Sequence, residues 1–260
     1  MKTYTSLVIA TLAAISASHA EDSDLAMKLS NPVADLISVP LQGNFESGIG
    51  PSDGNRFTLN FQPVIPISLN NDWNVISRTI LPFIDQSGIL SSGAADATGL
   101  GDTVQSFFFS PKSSDPIWGI GPVFLLPTAT DNLLGADQFG VGPTAVVLKQ
   151  DKAWTYGILA NHIWGVAGDD DGPEVNATFL QPFVSYALTP TTILTFNSES
   201  TYDWDNEQWT IPLYLGISQI IKLGDQPVSI FGGFRYFVEK PTGAPDWGIR
   251  LGMTFLFPNS

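Results

Sequence analysis

Few side chains in this 260-residue sequence could do chemistry inside a folded body, and four of them are its arginines, Arg56, Arg78, Arg235 and Arg250. Each arginine shares the parity of the polar residues in a segment where polar and apolar positions alternate. Arg56 goes with Thr58, Asn60 and Gln62 against Phe57, Leu59 and Phe61, and Arg250 goes with Gly252 and Thr254 against Ile249, Leu251 and Met253. Glu46, Asp102 and Glu199 lie in segments of the same kind. A guanidinium offers a planar fork of donors that fits a carboxylate in two bonds at once. Two arrangements are therefore open. The arginines form one basic strip with acids elsewhere, setting up a field across an internal space, or each pairs with a nearby carboxylate and fills that space.

Catalytic chemistry finds little to work with. Beyond residue 20 the one imidazole is His162, which shares parity with Tyr156, Ile158 and Ala160 and so belongs to an apolar face. A serine nucleophile needs a base beside it, and His162 is the only imidazole on offer beyond residue 20. No carboxylate pair is singled out by spacing. No catalytic residue is assigned, an enzyme is not expected, and no cofactor is implied. Asp169-Asp170-Asp171 and Asp203-x-Asp205-x-Glu207 offer hard oxygen donors of the kind Ca²⁺ takes, but the glycine and distal glutamate of an EF-hand loop are missing. Metal binding is left open. There is no cysteine, which excludes disulfides, thiolate metal sites and thiol chemistry.

The elements that must position these residues are strands. From Trp247 to Phe257, Ile249, Leu251, Met253, Phe255 and Phe257 alternate with Gly248, Arg250, Gly252, Thr254 and Leu256. A long strand with one apolar face and an arginine on the other suits a wall between lipid and water. Gly252 followed by Phe255 and Phe257 resembles the closing-strand signal of bacterial outer-membrane barrels, which places both phenylalanines toward lipid and implies handling by the barrel-assembly machinery. About twelve such segments recur along the chain, an even number of the kind single-chain outer-membrane barrels use. Tight connections, such as Asn70–Asp72 and Leu188–Thr191, alternate with long ones rich in Gly, Ser and Asp, such as Asp85–Gly99 and Ala129–Gln138. Trp73, Trp118, Trp154, Trp209 and Trp247 sit at strand starts, where interfacial aromatic girdles require them. The fold class predicted is all-β, a closed antiparallel transmembrane barrel of about twelve strands. Pro40, Pro63, Pro66, Pro82, Pro122, Pro143, Pro182 and Pro212 fall in or near these strands, and bulges or kinks are expected at several of them.

The chain ends agree with export. Met1-Lys2, the apolar run Leu7–Ile15 and Ser18-His19-Ala20 read as a secretory signal peptide over 1–20. Residues 21–35 do not alternate. Asp24 is placed to cap a short helix over Leu25–Leu29, and the segment is expected to be a periplasmic tail or a plug in the lumen. The barrel is expected over 36–260. The formal net charge is −14, which argues against nucleic acid as a partner, since phosphate binding needs basic patches. Most acids fall at the long outer connections, where they repel anions and gather cations.

Leu36-Ile-Ser-Val-Pro40, Gln62-Pro-Val-Ile-Pro66, Ile76-Ser-Arg-Thr-Ile-Leu-Pro82, Gly99-Leu-Gly-Asp-Thr103, Phe124-Leu-Leu-Pro-Thr128, Asn161-His162 and Ser200-Thr-Tyr-Asp-Trp204 together resemble the outer-membrane proteins of the meta-pathway phenol-degradation family, which are catalogued as transporter-like barrels. The resemblance implies a cell outer-membrane barrel passing aromatic or other small molecules, and it supplies no catalytic residues. The function expected is an outer-membrane channel or transporter for small, neutral or aromatic solutes. A barrel with a filled lumen, serving as a structural or surface-interaction protein, is the alternative, and an outer-membrane enzyme is the third. The partners expected are outer-membrane lipids, a small-molecule solute and the assembly machinery. Arg56, Arg78, Arg235, Arg250, Glu46, Asp102 and Glu199 are the lumen residues expected to set selectivity.

Overall fold

A computed structural model describes residues 23–89, 96–168 and 174–258. The predicted signal peptide and the Asp169–Asp171 run lie outside the described residues. The strands are β1 (Ile37–Ile49), β2 (Gly54–Phe61), β3 (Val64–Ser68), β4 (Trp73–Ser87), β5 (Ala97–Leu100), β6 (Thr103–Pro111), β7 (Ile117–Leu126) and β8 (Gln138–Asp151). They continue as β9 (Trp154–Gly168), β10 (Asn176–Ala187), β11 (Thr192–Ser198), β12 (Ser200–Asp203), β13 (Gln208–Leu223), β14 (Gln226–Glu239) and β15 (Trp247–Phe257).

These make a closed antiparallel barrel of 12 wall strands. Three wall strands are each interrupted once: β2 with β3 at Gln62-Pro63, β5 with β6 at Gly101-Asp102, and β11 with β12 at Glu199. Closure comes from β15 against β1, in a register running from Ile37 opposite Phe257 to Ser47 opposite Trp247. Closure leaves no sheet edge, as a sheet in lipid requires.

Period-two alternation builds the wall. Phe45, Phe57, Leu59, Phe61, Leu215, Ile217, Leu251 and Met253 point outward and are exposed, while Asn44, Arg235, Arg250 and Thr254 point inward and are buried. Phe257 is exposed on the lipid side, and Leu256 beside it is fully buried in the interior. Two aromatic belts edge the outer surface. Trp73 meets Trp118 edge-on at 5.8 Å and Trp154 lies 4.6 Å from Tyr186 at the end where β1 begins. Tyr202 lies 4.9 Å from both Trp204 and Trp209 at the other end. Ring and polar tip both find partners at such interfaces.

The turns are locally coded. Asn70 Oδ1 accepts from Asp72 N and Trp73 N, each at 2.9 Å, closing the β3–β4 turn. Gly224, at φ 64°, permits the tight β13–β14 turn that a side chain would strain.

The prolines behave more quietly than expected. A register shift accompanies Pro212, between Ile211 and Pro212 against β14. Pro63 interrupts β2 and β3 with no change of register against β1 or β4. Pro122 and Pro143 face each other across β7 and β8. Proline removes one donor, so a ladder bond goes missing there while the flanking pairs hold the strands aligned. The other shifts lie at Gly48 (φ 78°) in β1, between Phe139 and Gly140 in β8, and, by one residue, between β5 and β6.

Residues 23–29 form a helix. Asp24 lies within it and pairs with Lys28 at 2.8 Å instead of capping it, because the helix starts at least two residues earlier than expected. The helix and the chain that follows it sit inside the barrel at the end where β1 begins and β15 finishes, which is the periplasmic end in barrels of this kind. Leu25, Ala26, Ala34 and Leu36 pack on the inward Ile193, Ile220 and Leu256. Val33 packs on Ile76, Phe108, Val146, Leu148 and Leu159 of the opposite wall. Gln150 Nε2 donates to Met27 O at 2.8 Å.

Candidate functional site: the charged lumen

Adjacent strands bring three of the arginines together. Glu46 on β1 stands opposite Arg56 on β2 and opposite Gly248 on β15, and Gly248 in turn stands opposite Arg235 on β14. A Cβ at Gly248 would sit 3.2 Å from Glu46 Cγ. The glycine therefore leaves the space through which Arg235 Nη1 reaches Glu46 Oε1, at 2.5 Å, across the intervening strand. One step further in, Arg250 Nε donates to Asn44 Oδ1 at 2.7 Å.

The fourth participant comes from the far wall. Glu199 occupies the gap between β11 and β12, and the register against β10 is the same on both sides of it. Its two oxygens accept from Arg250 Nη1 at 2.8 Å and Nη2 at 2.7 Å, a fork-to-fork pair. Arg235 Nη2 lies 3.6 Å from Glu199 Oε2. Arg250 is also stacked over the Tyr214 ring at 4.8 Å. That side chain lies over Gly216 and Gly233, where a Cβ would come within 2.0 Å of its hydroxyl and 2.5 Å of its ring. Arg250 and Arg235 are 4% and 9% exposed. Charges that buried are tolerated only when paired and hydrogen-bonded.

Of the two arrangements the sequence left open, the basic strip with its acids elsewhere is not the one that forms. Glu46 and Glu199 are inside the arginine cluster, because the lumen is narrow enough for a glutamate on the ninth wall strand to touch the twelfth. The expectation for Asp102 is corrected. Its carboxylate accepts from Ala129 N at 3.2 Å and Ala136 N at 2.6 Å, anchoring the β7–β8 connection. The one-residue shift between β5 and β6 turns it toward that loop, and it lines none of the lumen cavities described here.

The other two arginines differ from this pair. Arg56 Nε donates to the neutral Gln86 Oε1 at 3.0 Å, and Gln86 Nε2 donates to Leu133 O at 3.2 Å, tying the mouth of the lumen to the same loop. The Arg78 guanidinium makes no hydrogen bond or ion pair among the described residues. It projects where three adjoining cavities meet, of about 230, 240 and 260 Å³, all three lined by Gln62, Arg78 and Gln181. The first of these lies under the arginine cluster, and the last is floored by Leu29 of the N-terminal segment.

Asn44, Gln86 and Tyr214 were not singled out from the sequence as members of this network. Their inward parity was legible, but their height in the barrel was not. His162 lies on the outer surface, as its parity indicates. Its Nδ1 bonds Thr178 Oγ1 at 2.7 Å and its ring lies 4.1 Å from Trp164. The carboxylate of Asp203 caps its own turn, with Oδ1 accepting from Asp205 N and Asn206 N at 3.0 Å each. Among the described residues no group of three or more ligating side chains is placed to hold a metal ion.

No family profile matches the chain, and no curated protein matches it in sequence. Solved structures do match. An outer membrane channel from Pseudomonas putida F1 is 17% identical, with a TM-score of 0.66 over 85% of this chain and 94% of that one. The NanC porin is 14% identical, with a TM-score of 0.52 over 84% and 98%. Outer membrane phospholipase A from Escherichia coli is 10% identical, with a TM-score of 0.51 over 85% and 90%. The fold is an outer-membrane β-barrel. Its outward apolar band and two aromatic belts are the surface that residence in the outer membrane requires.

Proposed function

We propose that this barrel is an outer-membrane channel for small solutes, closed at its periplasmic end by its own N-terminal segment. The supporting observation is the string of adjoining cavities from the arginine cluster to the helix at 23–29, with Gln62, Arg78 and Gln181 common to all. A purely structural barrel gains nothing from lining a continuous string of cavities with polar side chains. The cavity sizes favour compact solutes, and the resemblance to the phenol-degradation family points to aromatic ones. Four arginines against Glu46 and Glu199 leave an excess of positive charge along the lumen, so permeant ions are expected to be anions. The acidic outer loops act in the opposite sense at the mouth.

The chemistry of the site supports no hydrolase. His162 faces a threonine hydroxyl and tryptophan rings, with no carboxylate bonded to it among the described residues. The closing strand β15, with Phe257 on the lipid face, is the segment we assign to recognition by the assembly machinery.

The experiment is conductance across a planar bilayer for the wild type and for a Leu25→Asp variant, which puts a charge into the apolar seat of the N-terminal segment. A small or intermittent wild-type conductance that becomes larger and steadier in the variant is expected. No conductance from either protein would favour the filled-lumen structural reading.

A further inference from the structure

Arg78 is the unspent charge of the lumen. Arg235 and Arg250 are occupied by Glu46 and Glu199, and Arg56 by Gln86. Glu199 is bonded to Arg250 through both oxygens and lies beside Arg235, and no hydrogen bond or ion pair joins it to Arg78 among the described residues. A guanidinium inside a narrow lumen with no counter-charge within bonding distance is costly to keep. It is stable there if water or a ligand supplies the missing acceptors.

The surroundings say which ligand. On β10, across the lumen from β4, Phe179, Gln181 and Phe183 take alternate positions and line the same cavities as Arg78. The Gln62 and Gln181 side chains form no hydrogen bonds among the described residues, so both amides are free to bond a guest. Asn197, 8% exposed, lines two of the three cavities, and its Oδ1 is buried without a partner. One free guanidinium, flanking amides and two phenylalanine rings form a complement to a single-ring anion.

We infer that Arg78 anchors a lumenal binding site for small organic carboxylates bearing an apolar ring. The carboxylate takes the guanidinium fork in two charge-assisted bonds, the ring lies against Phe179 or Phe183, and the amide N–H groups of Gln62 and Gln181 donate to the carboxylate's remaining lone pairs. The inference names the solute class for the channel proposed above and rests on that reading for its physiological meaning, though not for the binding itself. Removing Arg78 leaves no protein group unpaired, so a variant at this position is expected to fold.

The test has two arms. In the first, benzoate, its neutral isostere benzyl alcohol, and acetate are titrated calorimetrically into the detergent-solubilised full-length protein. Benzoate is expected to bind at least about tenfold more tightly than either, and Arg78→Gln to weaken benzoate by about tenfold or more, as loss of a charged hydrogen bond does. Arg78→Lys, which keeps the charge and loses the fork, is expected to fall between. Heat-modifiable gel migration confirms that both variants are folded. In the second arm, the same three probes are added to the protein in a planar bilayer. Benzoate is expected to interrupt the current at concentrations where benzyl alcohol does not, and Arg78→Gln to abolish the interruptions. Conductance with benzoate binding unchanged in Arg78→Gln, or no preference for benzoate over benzyl alcohol, overturns the site and leaves the channel standing. Arg78-dependent benzoate binding without any conductance upholds the site and removes the channel.

Discussion

The inner surface of this barrel has two halves that obey different rules. Toward the outside, inward positions carry Asn44, Glu46, Tyr214, Arg235 and Arg250, cross-linked through Glu199. Toward the periplasm, the same wall strands carry Ile193, Ile220 and Leu256, covered by Leu25, Ala26, Ala34 and Leu36. On β4 the change takes two residues, from Arg78 to a fully buried Ile76. Inward parity therefore does not mean polar. It means whatever fills the lumen at that height: a charge network toward the outer mouth, and an apolar seat where the chain's own segment sits. The two halves also hold together differently. The outer one is joined by directional bonds, while the periplasmic one is held by apolar contact.

The comparison can be broken most severely at Glu199. Glu199→Ala leaves Arg250 buried without its carboxylate, a loss of about 3–5 kcal/mol for one partner of a buried pair. The temperature at which the heat-modifiable band unfolds should fall well below that of the wild type. If it stays put, the network is ornamental and the outer half is not held by directional bonds.

Leu25→Asp is the next largest. It removes about 2–3 kcal/mol of side-chain burial and adds a carboxylate that the apolar seat cannot solvate. The wall makes no ladder bond to residue 25, so its unfolding temperature should hardly move while the N-terminal segment becomes open to protease. Loss of the whole barrel would show that the segment is part of the fold's core, erasing the distinction between the halves.

Asp102→Ala sharpens the boundary at the outer mouth. It orphans Ala129 N and Ala136 N, at a cost of about 1–3 kcal/mol confined to the loop. Hydrogen exchange over 129–136 should quicken, and ion selectivity should stay as in the wild type. A selectivity change would restore Asp102 to the lumen.

Arg56→Gln is the mildest. Its partner is a neutral amide, so no buried charge is stranded, and folding should be unaffected. The reversal potential under a salt gradient should move slightly toward cation preference, less than for Arg78→Gln. An equal or larger shift would mean that the mouth, and not the cavity junction, sets the field.

Much of the barrel was legible in the chain. The twelve wall strands, the turns at Asn70 and Gly224, the lipid side of Phe257, the girdle tryptophans and the inward parity of all four arginines follow from alternation and turn chemistry, which are local properties. Proline misled in part, because a missing donor was equated with a bulge, and at Pro63, Pro122 and Pro143 the flanking ladder absorbs the loss without slipping.

Sequence by itself determined which face each strand residue takes, because side chains alternate with a fixed period along any strand. Only the tertiary structure decided who meets whom inside. Alternation carries no information about height along the barrel or about the distance across it. Glu199 and Arg250 are 51 positions apart, and Glu46 and Arg235 are 189 apart. Closure and a narrow lumen bring them within bonding distance, turn Asp102 toward a loop, seat the N-terminal segment on Ile193 and Leu256, and leave Arg78 facing the cavities with no carboxylate bonded to it among the described residues.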